Sequence, residues 1–213
     1  MSESGDGVTD RLIVADELGG GERYQLLTSL IVPRPIGWIS SRSATGLRNL
    51  APFSYFAPVA PTPMLVAVSI GNRRGAPKDT LANIRATDAF CINVVTEGQL
   101  EAMNASSGEH PPDIDEFEIA GVEAAEGSLV AAPYVAGCQG VLECRLYREV
   151  PIEEAGVVLL VGRVVAVRLG PALRFQPGTH LVDPDSLRPV GRLGGERYAF
   201  LGEIPALARP IIL

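Results

Sequence analysis

Short, apolar runs constrain this chain more than any other feature. Residues 36–41, 64–70 (MLVAVSI), 90–95 (FCINVV), 140–150 and 157–169 are rich in Val, Ile and Leu. Runs of this length between turn residues are strands, and the continuous ones fit strands buried on both faces. The most apolar stretch, residues 155–169, is broken by Gly162-Arg163 and again by Arg168. A membrane helix needs about 20 largely apolar residues, so this stretch is read as a strand and no membrane partner is expected. The helical segments are short: residues 22–30, stopped before Pro33, 79–86 with Asp79 as cap and Leu81 and Ile84 inward, and 99–106. With 23 glycines and 17 prolines in 213 residues, turns are plentiful. The fold class is therefore all-β dominated with short helices, and a closed or partly closed barrel is the favoured architecture.

Residues 1–21 read as a flexible leader and 22–213 as one domain, with no repeat and no linker able to separate two cores. The first ten residues are polar and acidic, unlike a secretory signal, and three cysteines at unpatterned spacings suit reduced thiols, so a cytoplasmic location is expected. The formal charge of −7 and the lack of a polybasic run argue against a nucleic-acid partner. Residues 109–126 carry seven acidic side chains and no Lys or Arg, the pattern of a solvated connector. Cys91, Cys138, Cys144, His110 and His180 offer little from which to build a metal centre. The apolar end, Ile211 to Leu213, asks for cover by its own domain or by a second subunit.

No Gly-x-Ser-x-Gly elbow occurs, and Cys91 lies inside a strand, where an inert thiol is expected. A phosphate cradle has more support. Arg73 and Arg74 precede Lys78-Asp79-Thr80 at a helix start, where free backbone N–H groups and a partial positive charge favour anions. The same residues are also those of a capped surface helix with solvated arginines. A second stretch runs from Arg34 to Ser41 (RPIGWISS), through a glycine turn, to residues 46–56 (GLRNLAPFSYF). It fits either plain strand–turn–strand packing or a flat ligand lying along the strands against small and aromatic residues.

These segments, with KDT and a following Asn, the Glu116-Phe117 pair, Leu142 to Cys144, and an ending that contains Arg192-Leu193-Gly194-Gly195, Tyr198 and Arg209-Pro210, resemble the flavin reductase-like, FMN-binding split-barrel proteins. That group includes flavoredoxins and the reductase components of two-component monooxygenases. The matches run in order from about Tyr24 to Pro210. The resemblance implies a six-stranded antiparallel split barrel with Greek-key connections and a homodimer with FMN near the subunit interface. It places Trp38 and Ser40 beside the isoalloxazine, and backbone contacts from Asn49, Leu50 and Ala51 at its polar edge. Ser54, Lys78 and Thr80 would hold the phosphate and ribityl end, with Arg73 and Arg74 nearby, and Tyr198 would join the aromatic wall.

The activity so implied is hydride transfer from NADH or NADPH to flavin, as the reductase component serving a partner monooxygenase. Hydride transfer requires no acid–base residue, and none is assigned. No GxGxxG follows a strand, so the nicotinamide would stack on the exposed flavin face. The alternative implied by the same family is a non-enzymatic, flavoredoxin-like electron carrier. An oxidase of the pyridoxamine-phosphate type shares the cofactor, but the RPIGW and NLAPFS segments resemble the reductase branch more. A barrel module without cofactor is the plain alternative.

Overall fold

A computed structural model describes residues 10–73 and 75–210. Its frame is one antiparallel sheet of seven strands: β1 (Gly37–Arg42), β2 (Arg48–Phe53), β3 (Phe56–Pro61), β4 (Met64–Gly71), β5 (Ala89–Val94), β6 (Gly140–Ile152) and β7 (Val157–Leu169). Their spatial order is β2-β1-β5-β6-β7-β4-β3. The two edge strands, β2 and β3, are consecutive in the chain, with only Ser54 and Tyr55 between them. Two residues can join opposite edges only if the sheet curls until those edges meet. The frame is thus a split barrel, and β2 and β3 taken as one kinked strand give the expected six. The Ser69 N–H donates to the Tyr55 carbonyl at 2.9 Å, which stitches the kink to β4.

Side-chain alternation along β1 and β5 builds two cores. Ile39, Phe90 and Ile92 join Val66, Val68 and Ile70 of β4 and Val158, Leu160 and Val164 of β7, with Leu81 and Ile84 of helix α2 (Asp79–Thr87) packed among them. The opposite faces carry Trp38, Ala89 and Cys91 into a second cluster with Leu50, Met103, Phe117 and Val135. Helices α3 (Leu100–Ala105) and α4 (Glu116–Ala120) supply Met103 and Phe117. In the first core Phe90 lies over Gly162: a Cβ built on Gly162 would stand 2.4 Å from Phe90 Cζ.

Two expectations are corrected. Asp79 does not cap α2; the cap position is Lys78, in extended backbone, and Asp79 is the first helical residue. There its carboxylate still complements the positive end of the helix dipole. The acidic stretch is not all solvated connector either. It contains α4, capped by the Asp115 carboxylate accepting the Phe117 N–H at 3.0 Å, and Glu116 and Phe117 are both buried. The long N-terminal helix, α1, spans Gly20–Leu30. Its carboxyl end is held by buried Arg34, whose guanidinium donates to the Thr28 carbonyl at 2.6 Å and the Ile31 carbonyl at 2.9 Å. A third bond, to the Leu193 carbonyl at 3.0 Å, ties the chain's C-terminal loop to the same point. The expectation for Ile211 to Leu213 lies outside the described residues.

Candidate flavin-binding groove

Two adjoining cavities run along the outer edge of β2 and share Pro52 and Ser107. The smaller, about 90 Å³, is lined by Asn49, Ala51, Arg73, Lys78, Thr80 and Glu116 among others. The larger, about 190 Å³, is walled by Tyr24, Ile36, Ser54, Met103, Arg192 and Tyr198. Asn49, Ala51, Lys78 and Thr80 line the smaller cavity, and Ser54 and Tyr198 the larger. Arg74 lies outside the described residues.

Lys78 is the chain's one lysine among 17 arginines. Its ammonium lies over the Phe53 ring, 5.6 Å from the centroid. Arg73 donates to the His110 carbonyl at 3.0 Å. Neither cation has a carboxylate within salt-bridge distance among the described residues. They share the cavity with three carboxylates, Asp79, Glu109 and Glu116, so the two cations offset a locally acidic lining at the helix start.

The groove floor is a buried polar network. The Glu116 carboxylate accepts the Leu50 N–H at 3.1 Å and the Asn49 side-chain amide at 3.1 and 3.2 Å. Asn49 Oδ1 in turn accepts from the Thr80 hydroxyl at 2.8 Å and from Ser41 at 3.2 Å. Burial pushes the Glu116 carboxyl above its ordinary range, opposed by the Leu50 N–H and the Asn49 amide. In the sequence Glu116 stands out only as part of a motif. Its signal was the Glu-Phe pair, an acid beside a large apolar residue inside an otherwise polar stretch.

Three of the residues expected at a ligand are fully buried. Trp38, Ser40 and Leu50 are each 0% exposed and present no surface to a ligand on this chain. Trp38 sits under α3, its indole N–H donating to Ser106 Oγ at 2.9 Å. The Ser40 hydroxyl donates to the Pro133 carbonyl at 2.6 Å. These residues act from behind the wall: Ser106, which Trp38 holds, lines the Lys78 end of the groove.

Among the described residues no group of three or more His, Cys, Asp or Glu could hold a metal ion. All three cysteines are buried and free. Burial, with the charge of Glu143 adding to it, pushes the Cys91 thiol up to about 12, too high for a nucleophilic thiolate at neutral pH.

The edge of the split barrel thus carries two adjoining clefts, one where Arg73 and Lys78 stand with Asp79, Glu109 and Glu116, the other walled by Tyr24 and Tyr198. The chain belongs to the flavin reductase-like family: it matches the flavin reductase like domain over residues 29–184. It is 37% identical to the uncharacterized protein BH2278 of Halalkalibacterium halodurans over 202 residues, 92% of this chain and 95% of that one. Its structure is similar to that of nitrilotriacetate monooxygenase component B from Bacillus cereus, with a TM-score of 0.89, 32% identity, and coverage of 94% of this chain and 100% of that one. It also matches the 2-nitrobenzoate 2-nitroreductase NbaA of Pseudomonas fluorescens, with a TM-score of 0.86, 28% identity, and coverage of 95% and 98%. No helix among the described residues is long and apolar enough to cross a membrane.

Proposed function

We propose that the groove binds FMN and that the protein is an NAD(P)H:flavin oxidoreductase, delivering reduced flavin to a partner monooxygenase. The observation that carries the reading is the pair of cations, Lys78 and Arg73, neither within salt-bridge distance of a carboxylate among the described residues, at the narrow end of a groove whose wide end is aromatic; Asp79, Glu109 and Glu116 line that narrow end with them. A phosphate suits the first end and a planar ring the second. When bound, the flavin supplies the hydride acceptor, and NADH or NADPH the hydride. The chain's own residues bind and orient: Lys78 and Arg73 with the phosphate, Ser54 along the ribityl chain, and Tyr198 and Tyr24 against the ring. Thr80, whose hydroxyl is engaged by Asn49, fixes the floor beneath the phosphate. The likeness to a monooxygenase component B supports the partner role, and a nicotinamide donor suits a cytoplasmic location.

The same reading includes a homodimer. The outer face of β3, β4 and β7 presents Ala57, Ala67 and Leu159, with Tyr55 and the helix residues Leu27 and Ile31, around an open cavity of about 520 Å³. Leu27, Ile31 and Tyr55 are exposed, as are Phe200, Ile204 and Leu207 farther along the chain. Such a surface suits a second copy, and sedimentation equilibrium at micromolar concentration should give twice the monomer mass.

The activity test is NADH and NADPH oxidation with catalytic protein and added FMN. Continuous turnover of the nucleotide with free flavin supports a reductase. Bleaching of bound flavin without turnover identifies a carrier of the flavoredoxin type. Absence of flavin binding overturns both.

A further inference from the structure

We propose that Arg192 supplies the positive charge that stabilises the flavin's reduced form, and so raises the midpoint potential of FMN held in the groove. The proposal rests on the FMN reading above. Hydride transfer from NADH or NADPH brings two electrons and one proton to the flavin, and the nucleotide leaves oxidised. The flavin is left one unit more negative, with that charge spread over the N1–C2=O edge. Something in the site must meet it, and fixed donors or a cation are the efficient means.

The backbone of β2 does not supply those donors. N–H groups alternate in direction along a strand. The outward Leu50 N–H is held by Glu116 at 3.1 Å, the next outward position is Pro52, which has no N–H, and Asn49 and Ala51 turn theirs toward β1. Among the described residues Arg192 is the one ionised side chain lining the larger cavity. It has no carboxylate partner among the described residues.

Arg192 is also held in place before any ligand arrives. Its guanidinium lies over the Tyr198 ring, 4.5 Å from the centroid, and donates to the Gly195 carbonyl at 2.6 Å. Tyr198 is itself fixed by its hydroxyl, which donates to Asn104 Oδ1 at 2.9 Å. The residue opposite Arg192 in the short strand pairing is Arg34, whose guanidinium, bonded to the Thr28, Ile31 and Leu193 carbonyls, fixes the backbone that Arg192 pairs with. A cation fixed in this way needs little reorganisation as charge develops. The ring belongs at this end because the cavity is the larger of the two and carries the tyrosines, while the phosphate cations stand at the other.

The test is the midpoint potential of bound FMN, by spectroelectrochemical titration of the wild type, Arg192→Gln and Arg192→Lys. Arg192→Gln should weaken the reduced form about tenfold more than the oxidised form, which lowers a two-electron potential by about 30 mV. Arg192→Lys keeps the charge and should recover most of that difference. An unchanged potential in Arg192→Gln with FMN bound overturns the proposal. So does a loss of FMN affinity with riboflavin affinity intact, which would make Arg192 a phosphate ligand. Failure of the wild type to bind FMN overturns the flavin reading itself, a separate outcome.

Discussion

Glu116 on α4 accepts the backbone N–H of Leu50 on β2 at 3.1 Å, and this contact closes the outer edge of the barrel beneath the groove. An edge strand normally presents free N–H groups; here a buried carboxylate takes one and orients the Asn49 amide beside it. Orienting Asn49 leaves its Oδ1 to accept from Thr80, so one acid sets the floor under the Lys78 end.

Glu116→Ala should therefore destabilise the protein. Leaving the Leu50 N–H without an acceptor costs about 1–3 kcal/mol, and thermal denaturation should show the loss. Glu116→Gln retains one acceptor oxygen and should fall between wild type and Ala. Equal melting of all three proteins would contradict the role given to this contact.

Glu143 predicts the acid limb of stability. It has no exposed side-chain surface and accepts the Ser128 N–H at 3.0 Å, the Leu129 N–H at 2.6 Å and the Arg168 guanidinium at 2.6 Å. Burial alone would raise its pKa; those donors outweigh burial and hold it below the ordinary value. A carboxyl with a depressed folded pKa stabilises the fold fully above its unfolded pKa, about 4.3. That stability is lost as pH falls through the lower folded value. Glu143→Gln should cost about 1–3 kcal/mol at pH 7, the penalty of weakened buried hydrogen bonds, since Arg168 is partly exposed. It should also flatten the stability curve below about pH 4.3, measured by urea denaturation across pH.

Gly162→Ala should destabilise through overpacking. The added methyl would meet Phe90 at 2.4 Å, and forced core insertions cost about 1–3 kcal/mol. Adding Phe90→Leu opens space at the same spot and should restore part of the loss in the double variant. Additive losses in the two single variants and the double would contradict direct contact.

Trp38, the chain's one tryptophan, should emit at short wavelength and resist collisional quenchers, since it is 0% exposed. FMN should still quench it, by energy transfer across the wall that Ser106 forms. Long-wavelength emission, or unchanged emission with FMN bound, would contradict this placement.

Much of the frame was legible because strand runs such as residues 64–70 and 157–169 are continuous and local. β3 was harder: Pro58 and Pro61 speak against a strand, and they are tolerated because β3 is an edge of the sheet. The segments that line the groove stand out in the sequence because KDT and the β2 residues carry the family's pattern. The layer of each side chain was not. Alternation fixes which face of β1 Trp38 occupies, but α3 and α4, which bury it, come from more than 60 positions later in the chain. The role of Glu116 was hidden for the same reason, since its partners Asn49 and Leu50 are some 66 residues away.

The most direct test of the account is the affinity of Lys78→Ala for FMN and for riboflavin, measured side by side by fluorescence titration. Removing a charge-assisted bond to phosphate forfeits about 1.5–3 kcal/mol, about ten- to a hundredfold in affinity. The account predicts that loss for FMN and almost none for riboflavin, which has no phosphate. Equal losses for the two ligands, or no loss for either, would contradict a phosphate held at Lys78.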